Sequence, residues 1–511
     1  MTIIILVMKI SRKFFKNMNT SNPLLSNVFC ADPYGFEYQG RLYVYGTNDQ
    51  QQYDLVGKNG KNTYELIKSL VCFSTDDMVN WTYHGIIDVG KIDSFYLSSW
   101  APAIVYRKEA DGLDHFYLYF SNNGCGVGVL TATSPLGPWT SPLKLPLVDV
   151  GMKGIENVPN PFGPGVCLDD NGDGWLVFGG GYAPGGDDAM PGSVRIVKLG
   201  RDMLSFASDF AEIPAPYFLE ACDLNFINGT YVFSYNNNWV ERKKWDYDAP
   251  VPSECSMSYM TSKNPLDSKS WTYKNHYFKN PGEQGLNYSN NHTHIFKYQG
   301  QWYILYHTLT LQENTETNGG FRSICADRLE INENAVEISL SQGTRQGLVA
   351  IKNLNPFENV AGTCMFTSAE VGFEDKACLG QVSGLAEKSL GEETKFSGLV
   401  AKSQGEGAWI LVKNLDFSDG AEKIFMEASG LGKILVRLDK ISSGAVAEIC
   451  LGENSLAGEE TPGPCAIAGG SGSAGGCDTL VAPFLEKVQG VHDVFFIFSQ
   501  KDICLKGWHV E

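Results

Sequence analysis

The sequence predicts an all-β protein, a five-bladed β-propeller followed by a β-sandwich of jelly-roll type. Three observations carry this. A Gly-bearing turn leading into an aromatic, β-branched strand recurs five times; polar turns ending in Trp recur downstream of three of them; and helical periodicity is scarce while alternating strands are common.

The repeated strand appears as Gly40-Arg41-Leu42-Tyr43-Val44-Tyr45 and His115-Phe116-Tyr117-Leu118-Tyr119. It returns as Gly174-Trp175-Leu176-Val177-Phe178, Gly229-Thr230-Tyr231-Val232-Phe233 and Gly300-Gln301-Trp302-Tyr303-Ile304-Leu305-Tyr306. Copies lie roughly 55 to 75 residues apart, the period of a propeller blade with loops. The Trp turns end at Trp81, Trp139 and Trp271, as expected of hairpins joining a blade's outer strands. The ring is expected to close near residue 350, giving a propeller over 22–350 after an unstructured leader over 1–21. Beyond it, aromatic density falls and a low-complexity run spans Ala466 to Gly476. Alternating strands at Ala408–Leu415 and Lys433–Leu438, with the apolar run Val494–Phe498, predict a sandwich over 351–511.

At 511 residues the chain is long enough for two domains, and its 55 glycines suit turn-rich β structure. A net charge of −18 argues against nucleic acid, whose phosphates require concentrated Lys and Arg, and is compatible with a neutral oligosaccharide or polysaccharide. No run is long and apolar enough to cross a bilayer. The apolar Met1 to Met8 precedes its basic residues, the reverse of a secretory signal. The 13 cysteines are scattered without a Cys-x-x-Cys pair, which points to free thiols in a reducing cytoplasm. Secretion through a degenerate signal is the alternative.

Chemistry is expected upstream of the aromatic strands. Asp32 lies eleven residues before Tyr43, Glu220 eleven before Tyr231 and His292 eleven before Tyr303. In a propeller, equal offsets place side chains at equivalent points near the axis. Any one such Asp or Glu is ordinarily a solvated turn residue; three at one offset suggest a shared pocket. Two carboxyls flanking one bond are what glycoside hydrolysis needs, and aromatic walls raise a carboxyl pKa.

The ordered motifs Asn22-Pro23-Leu24 to Ala31-Asp32-Pro33, Trp100-Ala101-Pro102, Phe218-Leu219-Glu220-Ala221, Asn291-His292 and Gly320-Phe321-Arg322-Ser323 resemble those of glycoside hydrolase family 43. The resemblance implies a five-bladed propeller and an inverting glycosidase. Asp32 would be the general base and Glu220 the general acid. Trp100 and Phe36 would line the sugar subsite, Arg322 would reach a sugar hydroxyl or the acid, and His292 would sit on the axis where members often hold calcium. Removal of α-L-arabinofuranosyl units from arabinoxylan or its oligosaccharides is the expected activity, with β-D-xylosidase action the close alternative. The family carries a third carboxylate, an Asp before Pro; here Gly163 stands before Pro164, which opens a further alternative, a catalytically impaired glycan-binding propeller. Glu156 is a candidate to fill the gap, and Asp169 and Asp170 are poor ones.

From Leu354-Asn355-Pro356-Phe357 onward the chain resembles a family 6 carbohydrate-binding module, chiefly in Gly407-Ala408-Trp409-Ile410, Leu415-Asp416-Phe417 and Gly490-Val491-His492-Asp493. Ala361-Gly362-Thr363 replaces the module's Glu-Ala-Glu run, and Gly476-Cys477-Asp478-Thr479-Leu480 lacks its stacking Trp. A mainly structural role is therefore expected.

Overall fold

The computed structural model describes residues 20–363, 366–368, 371–375, 399–452 and 478–511. Residues 1–19 of the expected leader, the run Ala466 to Gly476, and Cys477 lie outside the described residues. Thr20 and Ser21 do not behave as leader: Ser21 is buried and its N–H donates to Gln346 O at 2.8 Å. The chain divides into two compact units, one of residues 20–24, 28–72 and 86–348, the other of 25–27, 73–85 and 349–511.

All major elements are strands, and the longest described helix, Asp49–Val56, has 8 residues. The first sheet runs β1 (Ala31–Tyr38), β2 (Arg41–Thr47), β3 (Leu70–Thr75), β4 (Thr82–Ile87). The second runs β5 (Trp100–Lys108), β6 (Asp114–Ser121), β7 (Gly126–Ala132), β8 (Val148–Asp149). The third holds β9 (Gly165–Leu168), β10 (Gly174–Gly179), β11 (Val194–Lys198) and β12 (Ala211–Glu212). The fourth holds β13 (Phe218–Ile227), β14 (Thr230–Asn237), β15 (Met257–Ser262) and β16 (Thr272–Phe278). The fifth has three strands, β17 (Thr293–Tyr298), β18 (Gln301–Thr308) and β19 (Ser323–Arg328).

The five repeated phrases are β2, β6, β10, β14 and β18, the second strand of each sheet. They read as near-continuous apolar runs because both faces are covered; β2, β10 and β14 are buried at every position. Each fully buried large side chain, such as Tyr45, Tyr119 or Tyr235, stabilises the unit by about 1.5–3 kcal/mol. The leading strands touch in cyclic order: β1 with β5, β5 with β9, β9 with β13, β13 with β17, and β17 with β1. One cavity of about 290 Å³ is lined by all five, through Tyr34, Ile104, Val166, Leu224 and His294.

The fifth sheet lacks a fourth strand of its own. Beside β19 runs the segment preceding β1: Leu24 N–H donates to Ile324 O at 2.8 Å and Cys30 N–H to Arg322 O at 3.0 Å. Asn22 pins that segment. Its Oδ1 accepts from Ala326 N at 2.8 Å and its Nδ2 donates to Thr344 O at 2.8 Å.

In the second unit, Val371–Asp375, Leu399–Ser403, Cys504–Val510, Ala421–Ser429 and Asp478–Val488 form one sheet in that order, with Val360–Ala361 beside Cys504–Val510. The other sheet runs Phe366–Thr367, Trp409–Asp416, Val491–Phe498, Gly432–Leu438, Ala445–Leu451. Alternate residues of both, including Ile424, Met426, Ile434, Val436, Phe496 and Trp508, share one apolar core. Eight described cysteines are free thiols, but Cys450 is disulfide-bonded, which corrects the expectation of thiols throughout.

Candidate active site

The site begins with a backbone feature repeated at the head of the leading strands. Asp32, Ala101, Gly163 and Ala221 have φ of +49°, +44°, +61° and +60°. For residues with a Cβ this left-handed conformation is costly, and it is held where the surroundings require it. The strand pairing then slips, between Ala31 and Tyr34, Trp100 and Ala103, and Glu220 and Asp223. Such bulges re-aim side chains.

Three of these four turned residues are gripped by the end of the neighbouring sheet's second strand. Ala101 N–H donates to Thr47 Oγ1 at 2.8 Å, Gly163 N–H to Ser121 Oγ at 2.8 Å, and Asp32 N–H to His307 Nδ1 at 3.2 Å. Thr47, Ser121 and His307 thus hold equivalent stations on β2, β6 and β18. The last grip ties the fifth sheet to the first.

Counted back from the hairpins, Asp32 is six residues before Tyr38, His292 six before Tyr298, and Ala221 six before Ile227. Glu220 is one residue out of step. The eleven-residue offset therefore matched two positions that are neighbours rather than equivalents. The bulge after Glu220 lets it serve the same pocket.

Asp32 is buried and enclosed by donors. Its Oδ1 accepts from Arg322 Nη1 at 2.9 Å and its Oδ2 from Thr47 Oγ1 at 2.7 Å. His292 Nδ1 lies 3.4 Å from Oδ1. Burial alone would raise its pKa, but the Arg322 guanidinium and the hydrogen bond from His292 hold it well below the usual carboxylate range. His307 accepts the Asp32 N–H at Nδ1, and its Nε2 lies 2.9 Å from Asn290 O, so it carries its proton on Nε2. Burial lowers its pKa and keeps it neutral.

Glu220 meets the opposite environment. It is half-buried, and its carboxyl receives a hydrogen bond from Asn290. Burial raises its pKa first, and the charge of Asp32 raises it further, while His292, Arg322 and Asn290 pull back. The net shift is upward.

Arg322 is committed to carboxylates. Besides Asp32, it forks onto Asp49, with Nε to Oδ2 at 2.9 Å and Nη2 to Oδ1 at 2.8 Å, and its guanidinium lies 4.7 Å from the Tyr64 ring centre. Trp100, half-exposed, donates Nε1–H to Tyr64 O at 3.0 Å, so Trp100 and Tyr64 form one wall beside the carboxyls. Phe36 is not brought to this pocket. It lies further along β1 with Tyr43, Tyr45, Tyr106 and Phe116 at 5.8–6.0 Å, a packing role dictated by its aromatic neighbours.

Gly163 has open space where a side chain would begin, since a Cβ there would come no nearer than 3.8 Å to Ala221 N. Glu156 does not fill it; that residue is exposed and accepts from Gly154 N–H at 2.8 Å. Asp169 is likewise engaged elsewhere, with Trp175 Nε1 and Tyr231 Oη both at 3.0 Å.

The donors around His292 do not suit calcium. The oxygen it faces already carries the Arg322 guanidinium, which would repel a cation, and among the described residues no group of three or more His, Cys, Asp or Glu is arranged to hold a metal. The histidine on the central cavity is His294, with Nδ1 2.9 Å from Asp223 Oδ1 and Nε2 2.8 Å from Gly35 O. Sequence reasoning missed Thr47, Tyr64, Asp49 and His307. The repeat supplied a signal for two of them, since Thr47 and His307 end aromatic strands whose alignment marks them.

Comparison with known proteins gives the family of the chain. The model of glycosyl hydrolases family 43 matches residues 20–336. An arabinoxylan arabinofuranohydrolase of Bacillus subtilis (strain 168) is 34% identical, over 95% of this chain and 90% of that protein. A Paenibacillus polymyxa arabinoxylan arabinofuranohydrolase is 32% identical, over 96% of this chain and 73% of that protein. The crystal structure of a family 43 arabinoxylan arabinofuranohydrolase from Bacillus subtilis, in complex with cellotetraose, superposes with a TM-score of 0.83 at 31% identity, covering 96% of this chain and 98% of that one. By motif, fold and overall likeness, the chain belongs to glycosyl hydrolase family 43.

Proposed function

We propose that the protein is an inverting glycosidase that removes α-L-arabinofuranosyl units from arabinoxylan or its oligosaccharides. The observation that carries this is the opposite treatment of two carboxyls in one pocket, Asp32 held ionised and Glu220 pushed toward its protonated form. Asp32 takes a proton from water as the water oxygen bonds to the anomeric carbon. The glycosidic bond breaks, and the departing oxygen takes the Glu220 proton. A single displacement inverts the centre. Both proton transfers use carboxyls, so the step needs no cofactor. The arabinofuranosyl assignment rests on the two relatives above, which align along nearly the whole chain.

The same reading takes the five sheets as the blades of a five-bladed propeller. Its support is the cyclic contact of leading strands and the segment around Asn22–Cys30 serving as the fifth blade's outer strand. The second unit is read as a carbohydrate-binding-module-like sandwich with a mainly structural role.

Gly163 favours a second reading, sugar binding without turnover, because a negative neighbour that would help keep Glu220 protonated is missing. Incubation with aryl α-L-arabinofuranoside and aryl β-D-xyloside across pH 4–8 separates the two. Arabinofuranoside turnover that falls by about 10²-fold or more in Asp32→Ala supports the hydrolase. Turnover of the xyloside alone moves the assignment to xylosidase, and binding without turnover supports the second reading.

A further inference from the structure

His294 and Asp223 meet beside the central cavity, 3% and 1% exposed, and neither takes part in the proton transfers above. Four donors enclose the Asp223 carboxylate. Its Oδ1 accepts from His294 Nδ1 at 2.9 Å and from Leu224 N–H at 3.0 Å, and its Oδ2 accepts from Ile295 N–H at 3.2 Å and Asn225 Nδ2 at 3.1 Å. On the far side of the imidazole, Nε2 lies 2.8 Å from Gly35 O. Both partners of the ring are acceptors, so both of its nitrogens donate, and His294 is an imidazolium facing its counter-ion. Tyr34 stacks on that ring with centroids 3.7 Å apart and donates its hydroxyl to Val166 O at 2.8 Å.

Desolvation offsets most of the attraction within a buried ion pair, so stability alone is a weak reason for this one. Its place in the strands supplies a better reason. In β13 the pairing slips after Glu220 and resumes at Asp223; in β1 it slips after Ala31 and resumes at Tyr34, with Gly35 next. His294, two residues beyond His292 on β17, thus fastens together the ends of the two bulges that aim Asp32 and Glu220.

We infer that His294 and Asp223 are positioning residues that set the separation of Asp32 and Glu220 by bridging the strands that carry them. This rests on the reading of those two carboxyls as base and acid. An inverting displacement leaves room for one water between them, and a misplacement of about 1 Å can cost about 10²-fold in rate. Both bridging residues are buried away from substrate, so the bridge acts on kcat and leaves KM alone.

The test uses the full chain. His294→Phe alone strands a buried carboxylate and can unfold the protein, so it is combined with Asp223→Asn. That pair of substitutions removes both charges at once, keeps an acceptor for Ile295 N–H and a ring against Tyr34, and loses the bridge to Gly35. It is expected to lower kcat on aryl α-L-arabinofuranoside roughly 10- to 100-fold with KM within about twofold of wild type. Asp223→Asn with His294→Gln returns a side-chain donor and should recover part of the lost kcat. Nitrogen NMR of histidine-labelled protein, at the pH of the assay, should show a buried ring protonated on both nitrogens whose signal vanishes in His294→Gln. A lowered Tm with unaltered kcat, a rise in KM that accounts for the whole loss, or a His294 ring carrying a single proton would overturn the inference. Absence of turnover on any glycoside by the wild type, with the doubly protonated ring present, would refute the proposed activity and leave the bridge standing.

Discussion

On the proposed assignment of Asp32 as base and Glu220 as acid, the two carboxyls differ in what surrounds each. Arg322 gives Asp32 a permanent positive partner, whereas Glu220 has burial and the repulsion of Asp32. The pH profile follows in sign. The base is lost only as pH falls well below 3.8, because its pKa is depressed. The acid is lost as pH rises through a value above 4.5, because its pKa is elevated. Activity should therefore have an alkaline limb set by Glu220. Gly163→Asp should move that limb upward by on the order of one pH unit through like-charge repulsion. Asp32 tolerates φ +49° at the matching position, so an Asp at φ +61° is sterically reasonable. A profile that stays put in Gly163→Asp would show that burial and Asp32 already suffice. Asp32→Ala should lower kcat by about 10²–10⁴-fold on any substrate. Glu220→Gln should do so on arabinoxylan oligosaccharides but much less on nitrophenyl glycosides, whose leaving group needs no proton.

At the scale of elements, the ring is interlocked by the second strands. Thr47 on β2 accepts from Ala101 N–H while donating to Asp32 Oδ2, joining two leading strands through one hydroxyl. Thr47→Val keeps the shape and removes both bonds. It should destabilise the protein by about 1–3 kcal/mol in denaturant titration and lower kcat by loosening Asp32. Unchanged stability would mean the interlock is dispensable. These elements show why part of the site was legible in the sequence and part was not. The aromatic strands declare themselves because burial on both faces leaves no polar alternation to hide them, and the Trp turns mark the outer hairpins. Asp32 and Glu220 stand in recognisable motifs. The equal offset to Tyr43 and Tyr231 misaligned them by one residue because Tyr43 stands two residues beyond the hairpin pair Tyr38–Arg41, whereas Tyr231 stands one beyond Ile227–Thr230. Asp49 was invisible. Its partner Arg322 is 273 residues away, and only the cyclic contact of the sheets brings the helix between β2 and β3 against the residue that precedes β19. Phe36 misled because an aromatic beside a catalytic motif looks the same whether it faces sugar or core.

Across the molecule, closure depends on a short stretch of chain ahead of the first sheet. Asn22 is buried and bonded to Ala326 from both directions, with Oδ1 accepting its N–H and Nδ2 donating to its carbonyl at 3.1 Å. Asn22→Ala leaves those groups unpaired and should cost about 1–3 kcal/mol, seen as a lowered Tm. Because Arg322 precedes β19, whose edge that stretch covers, activity should fall at a lower temperature than global unfolding in this variant. Coincident losses would place the fifth sheet and the rest in one cooperative unit.

The stereochemistry of the product tests the assignment of base and acid most directly. Proton NMR of wild-type protein with an aryl α-L-arabinofuranoside, recorded before mutarotation, should show β-L-arabinofuranose appearing first, with Asp32→Ala at least about 10²-fold slower. If the α-anomer appears first, or if loss of the Asp32 carboxyl slows hydrolysis by much less than about 10²-fold, the assignment of base and acid across this pocket is wrong.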